Sequence, residues 1–78
     1  MGYGVMDMKD LTHLSPGQRG KVLYIHGNGG RLRDLGFVEG ETVTCLFTAP
    51  LGDPTAYLAR GTVIALRAGD AALVEVAP

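Results

Sequence analysis

Glycine and proline interrupt this chain so often that no long helix or strand fits between them. The sequence holds 12 glycines and 4 prolines in 78 residues. Apolar runs bounded by such residues predict short strands joined by tight turns. A chain of this length buries only about 60% of the surface that its unfolded form exposes, so its core is thin. The sequence therefore predicts one small domain, too small for a second domain or a deep cleft.

Composition narrows the classes of partner. Hydrophobic residues make up 46% and charged residues 19% of the chain, which favours a folded domain over a disordered one. A net charge of −1 leaves no basic surface for phosphates, so we expect no nucleic-acid partner. No apolar stretch approaches the roughly 20 residues that cross a bilayer, which predicts no direct membrane insertion. One cysteine excludes an intrachain disulfide and fits a cytoplasmic location.

Apolar patterning predicts a mainly β fold. We interpret residues 1–8 as a loosely ordered lead-in and residues 9–78 as a single domain. Strands of this length at this spacing are typically antiparallel, and closing them on themselves removes exposed edges. The prediction is a small, partly open antiparallel barrel of about five strands with one short helical insert. The predicted strands cover residues 19–25, 42–49, 55–59, 62–67 and 73–76.

The predicted helix covers residues 31–35. Leu32 and Leu35 are three residues apart and would share its apolar face. Gly36 stands where a left-handed residue ends a helix, and Phe37 follows as its hydrophobic contact. In the strand after it, alternation places Val43, Cys45 and Phe47 on the buried side.

The segment Pro50–Pro54 is the most specific local feature. Its prolines fix φ at both ends and Gly52 permits an unusual backbone angle, so the loop is predicted to be stiff. Leu51 lies at its tip, where it either docks into a partner or folds back to plug the barrel. Arg31 in the helix either faces water or reaches a carboxylate or phosphate of a partner.

No catalytic set is visible, so the sequence predicts a protein that is not an enzyme. The glycines at 27, 29 and 30 lack the Lys-Ser/Thr pair of a phosphate loop, and no cofactor is predicted. The candidate metal ligands are His13, His26 and Cys45, whose spacing matches no ligand motif. Any divalent metal would be weakly or adventitiously bound, and burial is the expected fate of Cys45.

Several of these motifs occur in one family. The block Arg31-Leu32-Arg33-Asp34-Leu35-Gly36-Phe37, then Ala49-Pro50-Leu51-Gly52-Asp53-Pro54, and the closing Leu73-Val74-Glu75-Val76 resemble the FeoA family over about residues 9 to 76. The resemblance implies an SH3-like barrel. It also implies a small accessory or regulatory protein of bacterial ferrous iron uptake. The implied partner is FeoB, a membrane permease with a cytoplasmic GTP-binding domain, which would recruit the protein to the inner face of the membrane.

These expectations converge on one contact surface. Its predicted residues are Arg31, Leu32, Leu35, Phe37, Pro50, Leu51, Gly52, Asp53 and Pro54. The alternative is a stand-alone iron-sensing or metal-binding adaptor related to the SH3-like domain of metal-dependent repressors, with His13, His26 or Cys45 as ligands. Unpaired strand edges also leave a homo-oligomer open.

Overall fold

Six strands and two short α-helices make up the part of the chain that the structure describes. The structure is a computed structural model that describes residues 9–27 and 30–77. The lead-in predicted at residues 1–8 lies outside this range. In chain order the elements are β1 (Lys9–Asp10), a 3₁₀ turn (Leu11–His13), β2 (Arg19–Ile25), α1 (Gly30–Leu35), β3 (Thr42–Thr48), β4 (Thr55–Ala59), β5 (Thr62–Leu66), α2 (Ala68–Ala71) and β6 (Val74–Ala77).

All strand pairs are antiparallel and form one sheet in the order β1-β6-β2-β3-β4-β5. The predicted mainly β, antiparallel class is confirmed. The strand count is one higher than expected because two-residue β1 pairs with the outer side of β6. A second helix, α2, follows β5, whereas the sequence predicts only one helical insert. Both additions are too short to leave a periodic signal in the sequence.

A two-residue turn joins β4 to β5. Arg60 and Gly61 both have positive φ, at 53° and 78°, and they lie between the paired residues Ala59 and Thr62. Positive φ at both central positions is the type I′ geometry, whose twist matches that of the flanking strands. The turn therefore fixes the register of the hairpin.

The buried hydrophobic residues form one core cluster. Tyr57 and Phe37 are its largest side chains, and their rings meet edge to face with centroids 6.4 Å apart. The Tyr57 hydroxyl donates to the backbone oxygen of Leu11 at 3.3 Å, which ties the 3₁₀ turn to β4. Other fully buried members include Val22, Val43, Cys45, Val74 and Val76. No charged or polar residue is buried among those described.

Helix α1 ends as the sequence predicts. Gly36 has a φ of 117°, and its N–H donates to the Arg33 oxygen at 3.0 Å. The N–H of Phe37 donates to the Leu32 oxygen at 3.0 Å, which completes a Schellman motif. Phe37 is fully buried, so the end of the helix is also a point of attachment to the core.

Strand β3 departs from the predicted alternation. The pairing with β4 shifts between Cys45 and Phe47, which is a β-bulge. Because a bulge adds one residue to its strand, side chains beyond it point to the opposite face. Val43 and Cys45 are buried as expected, but the prediction for Phe47 is wrong, since 61% of its surface is exposed.

Candidate protein-interaction surface

The segment Pro50–Pro54 connects β3 to β4 as a closed loop. The N–H of Gly52 donates to the Ala49 oxygen at 2.8 Å, and the N–H of Ala49 donates to the Pro54 oxygen at 2.9 Å. At the base, the hydroxyls of Thr48 and Thr55 lie 3.0 Å apart across paired positions. Pro50 occupies the first central position of the turn, where its fixed φ suits the backbone. The loop is thus bonded to itself at both ends.

Asp53 anchors this loop to helix α2. Its Oδ1 accepts a hydrogen bond from the N–H of Ala68 at 2.8 Å. Its Oδ2 lies 3.7 Å from Nη1 of Arg67. Arg67 occupies the N-cap position of α2 and makes no capping bond with its own side chain. Asp53 therefore supplies the cap from another loop, and the helix in turn holds the loop in place.

Leu51 projects from the tip of this anchored loop. It is 97% exposed, the highest value among the large hydrophobic residues described. Of the two roles that the sequence left open, folding back into the barrel is thereby excluded in this structure. A large apolar side chain held in water on an ordered loop can be buried in a partner at a small cost in entropy.

Arg31 is tied to the same helix. Its Nη2 donates to Oδ2 of Asp70 at 2.7 Å, which links α1 to α2. Asp53 and Arg31, both predicted for one contact surface, are therefore each bonded to α2. Both partners of the Arg31–Asp70 pair are solvent-exposed, so the pair contributes little to stability. The Arg31 side chain is exposed to solvent, and its guanidinium is already paired with a carboxylate of the same chain, that of Asp70.

Three apolar residues of the predicted surface differ in how far they are buried. Leu32 and Phe37 are 2% and 0% exposed, so neither can contact a partner. The prediction that they form part of the contact is wrong, because both side chains pack in the hydrophobic core. Leu35 lies on the outer side of the helix end and is 38% exposed. The accessible part of the predicted surface reduces to Leu35, Arg31 and the loop.

A small groove lies at the foot of the loop. It has a volume of about 150 Å³ and runs between the loop, the 3₁₀ turn and α2. Its wall mixes apolar side chains with threonine hydroxyls. The lining residues are Thr12, Leu14, Thr48, Gly52, Thr55, Tyr57, Leu66, Ala68 and Ala71. The surface thus offers both a projecting leucine and a recess beside it.

The three candidate metal ligands lie in separate environments. His13 contacts Asp10, with Nδ1 and Oδ1 3.1 Å apart, and His26 contacts the carboxylate of Glu75 through Nε2. Cys45 is fully buried, and burial raises the pKa of its thiol, which disfavours the thiolate that binds metal. Within residues 9–27 and 30–77, no three His, Cys, Asp or Glu side chains cluster closely enough to hold a metal ion.

Four exposed large hydrophobic residues of the described chain are absent from the predicted surface: Leu23, Tyr24, Phe47 and Val63, of which the last two are the most exposed. Phe47 was missed because a bulge leaves no sequence signal. Val63, 60% exposed in β5, did carry one: Ile64 and Leu66 alternate with it and are buried. The link between Arg31 and Asp70 spans 39 positions and could not be inferred from spacing.

The model of the FeoA domain family matches residues 9–78. The chain belongs to the FeoA family. It is 36% identical over 69 residues to the Fe(2+) transport protein A/Fe(2+) transporter FeoB fusion protein of Porphyromonas gingivalis. That match covers 85% of this chain and 8% of the relative's length.

Solved FeoA structures share the fold. The solution structure of FeoA from Chlorobium tepidum is 32% identical, with a TM-score of 0.80 over 87% of this chain and 68% of that one. The crystal structure of Stenotrophomonas maltophilia FeoA complexed with zinc, described as an SH3 domain protein, is 33% identical. It has a TM-score of 0.76 over 88% of this chain and 89% of that one. The predicted SH3-like fold is confirmed. Across residues 9–27 and 30–77, no helix has the length and apolar character of a membrane span.

Proposed function

We propose that this protein is a non-enzymatic accessory subunit that binds the cytoplasmic part of a FeoB-type permease through the Pro50–Pro54 loop. The observation that carries the proposal is Leu51, 97% exposed on a loop that Asp53 fastens to α2. The Porphyromonas gingivalis relative, which joins the A protein and FeoB in one chain, supports the choice of partner. Such a protein would work in the cytoplasm, at the inner face of the membrane.

The chemistry of the contact follows from its residues. Burying a leucine side chain contributes roughly 1.5–3 kcal/mol, which is about a ten- to hundredfold change in affinity. The charges around it are already paired, Arg31 with Asp70 and Arg67 with Asp53. We expect these pairs to form a polar rim that orients the partner, while Leu51 supplies most of the binding energy.

Regulation requires a difference between states of the permease. A bound subunit shifts the equilibrium of a GTPase or a gate only as far as it binds one state more tightly than another. The groove beside Leu51 can accept a side chain of the partner while Leu51 is buried in a pocket of the partner. A reciprocal contact of this kind is sensitive to the shape of the partner, which makes it suited to distinguishing two states.

Affinity measurements on the purified cytoplasmic part of FeoB test the proposal. We expect Leu51→Ala to weaken binding about tenfold and Leu51→Asp to abolish it, because a charge would be buried without a partner. Leu23→Asp is the matched control: Leu23 is 49% exposed in β2, and its substitution should leave binding intact. Binding of Leu51→Asp at wild-type strength would remove the loop from the contact. GTP turnover of the full-length permease, with and without the protein, then tests regulation.

A further inference from the structure

Strand β5 lies at an edge of the sheet. It is the last strand in the order β1-β6-β2-β3-β4-β5, and nowhere in residues 9–27 and 30–77 does a strand pair with its outer side. Across the two-residue turn, Ala59 and Thr62 form the first hydrogen-bonded pair, so Ile64 and Leu66 also bond to β4. By alternation, Val63 and Ala65 direct their N–H and C=O groups away from β4, toward the open edge.

This edge lacks the features that usually prevent pairing between chains. Natural edge strands carry lysine, proline, a bulge or an inward charge. Residues Thr62–Leu66 have no charge and no proline, and their register with β4 is continuous over the whole strand. Val63 is 60% exposed and Ala65 is exposed as well. The strand is therefore open both at its backbone and at its outer side chains.

We propose that β5 pairs antiparallel with β5 of a second copy of this chain, with the two-fold axis at Ile64. In that register Val63 lies opposite Ala65 of the second copy, and Ala65 opposite its Val63. Val63 and Ala65 are the residues whose N–H and C=O groups face the open edge. Each of the two Val63–Ala65 pairs between the copies therefore forms two backbone hydrogen bonds, four in all. The edge is thus complementary to itself: every outward N–H and C=O of β5 finds a partner.

The side chains also fit a second copy. On the outer face, two cross-strand pairs lie side by side on β4 and β5. Leu58 and Val63 form a row of large side chains, and Ala56 and Ala65 form a neighbouring row of small ones. The two-fold register places a valine beside an alanine at the new junction, which continues the rows without a clash. Phe47, paired with Ala56 and 61% exposed, extends the second row and makes an apolar band across both copies.

Charge does not oppose this arrangement. Two arginines flank the strand, and each has a carboxylate of its own: Arg60 lies 3.9 Å from Glu41 and Arg67 lies 3.7 Å from Asp53. In the proposed register Arg67 of one copy approaches the Gly61 turn of the other, beside the Arg60–Glu41 pair. Glu41 is then available to both arginines, so the junction carries opposite charges at each end.

The interface is small. Pairing of two five-residue strands falls below the roughly 1,200 Å² of buried surface that marks a stable interface. We therefore expect a weak dimer with a dissociation constant of roughly 0.1–1 mM. Dimers of this strength form when the protein is concentrated, for instance when several copies are held at one membrane site.

Hydrogen exchange and sedimentation on the full chain test the proposal. The mass should rise toward that of a dimer between about 0.01 and 1 mM. Over that range the exchange of the Val63 and Ala65 amides should slow at least severalfold, while the amides of Ile64 and Leu66, bonded to β4, should not change. Ala65→Pro removes an edge N–H without breaking a bond to β4 and should weaken the dimer more than tenfold. Ala65→Ser keeps the N–H and is the matched control.

Three results would overturn the proposal. One is a monomeric mass for the wild type throughout. Another is a dimer that a folded Ala65→Pro variant retains. The third is protection of the Val63 and Ala65 amides that does not depend on concentration, which would mean that the edge is covered within one chain. Should Ala65→Pro fail to fold, Val63→Lys serves instead: it protects the edge with a charge, and a dimer of wild-type strength in this variant contradicts the pairing.

Discussion

The carboxylate of Asp53 accepts the N–H of Ala68 at 2.8 Å, so a loop between β3 and β4 caps a helix that begins 15 positions later. The helix needs this bond, since Arg67 at its N-cap provides none. The loop needs it too, because Asp53 is its only side chain with a described bond to another element. One interaction therefore stabilises α2 and holds the loop that presents Leu51.

Removing the cap should loosen both elements. We expect Asp53→Ala to lower the free energy of unfolding by about 1 kcal/mol, the usual cost of losing an N-cap acceptor. We also expect the backbone of Leu51 to become more mobile on the picosecond to nanosecond timescale, as measured by ¹⁵N relaxation. Asp53→Asn is the control, since its amide oxygen still accepts a hydrogen bond. Unchanged order parameters at Leu51 in Asp53→Ala would show that the prolines alone hold the loop.

The sequence predicts elements that local chemistry determines. The Gly36 end of α1, the burial of Cys45 and the loop between its prolines all depend on nearby residues, and the structure agrees with each of them. The predictions of side-chain burial are wrong where contacts between residues distant in sequence determine it. A shift in pairing with β4 exposes Phe47, and the packing of α1 against the sheet buries Leu32. Of the predicted contact residues, those of the Pro50–Pro54 loop remain a prediction, whereas Leu32 and Phe37 of the helix block are buried in the core.

Two glycines should respond oppositely to the same change. A Cβ at Gly20 would lie 3.0 Å from the Cβ of Val76, because β2 and β6 approach closely there. We expect Gly20→Ala to destabilise the fold by roughly 1–3 kcal/mol through overpacking. Gly69, in α2, has open space around its Cβ position, so Gly69→Ala should stabilise by about 0.5–1 kcal/mol. Urea unfolding of both variants checks this, and a stable Gly20→Ala would contradict the close approach.

Tyr57 should make the fold sensitive to alkali. Burial raises the pKa of its phenol to about 12 from the model-compound value of 10.0. The unfolded chain therefore loses this proton at lower pH than the folded one, so stability is complete below pH 10 and falls as the pH rises from 10 toward 12. The loss amounts to about 3 kcal/mol when both states are ionised.

Unfolding of Tyr57→Phe at a series of pH values isolates this contribution. The variant should lose about 1 kcal/mol at neutral pH, where it lacks the bond to the Leu11 oxygen. Its stability should then fall less steeply than that of the wild type above pH 10. Parallel curves for the two proteins across that range would mean that Tyr57 is not the group responsible.

Arg31 can be separated into a structural and a binding role. Its pair with Asp70 is exposed, so a double-mutant cycle of Arg31→Ala and Asp70→Ala should give a coupling energy of at most about 1 kcal/mol in unfolding. If Arg31 also contacts the permease, Arg31→Ala should reduce the free energy of binding several times more than it reduces the free energy of unfolding. A variant that keeps full affinity would leave Arg31 as a link between α1 and α2 only.

Ferrous iron should not bind tightly to the three candidate ligands. His13 and His26 are each engaged with a different carboxylate, and Cys45 is enclosed in the core with a raised pKa. A tight site needs several ligands that converge on one ion, and none of the three lies in such a cluster within residues 9–27 and 30–77. Anaerobic calorimetry should therefore show weak binding without a fixed stoichiometry, equal in wild type and His26→Ala. Stoichiometric micromolar binding that His26→Ala removes would instead favour the iron-sensing adaptor over the permease subunit.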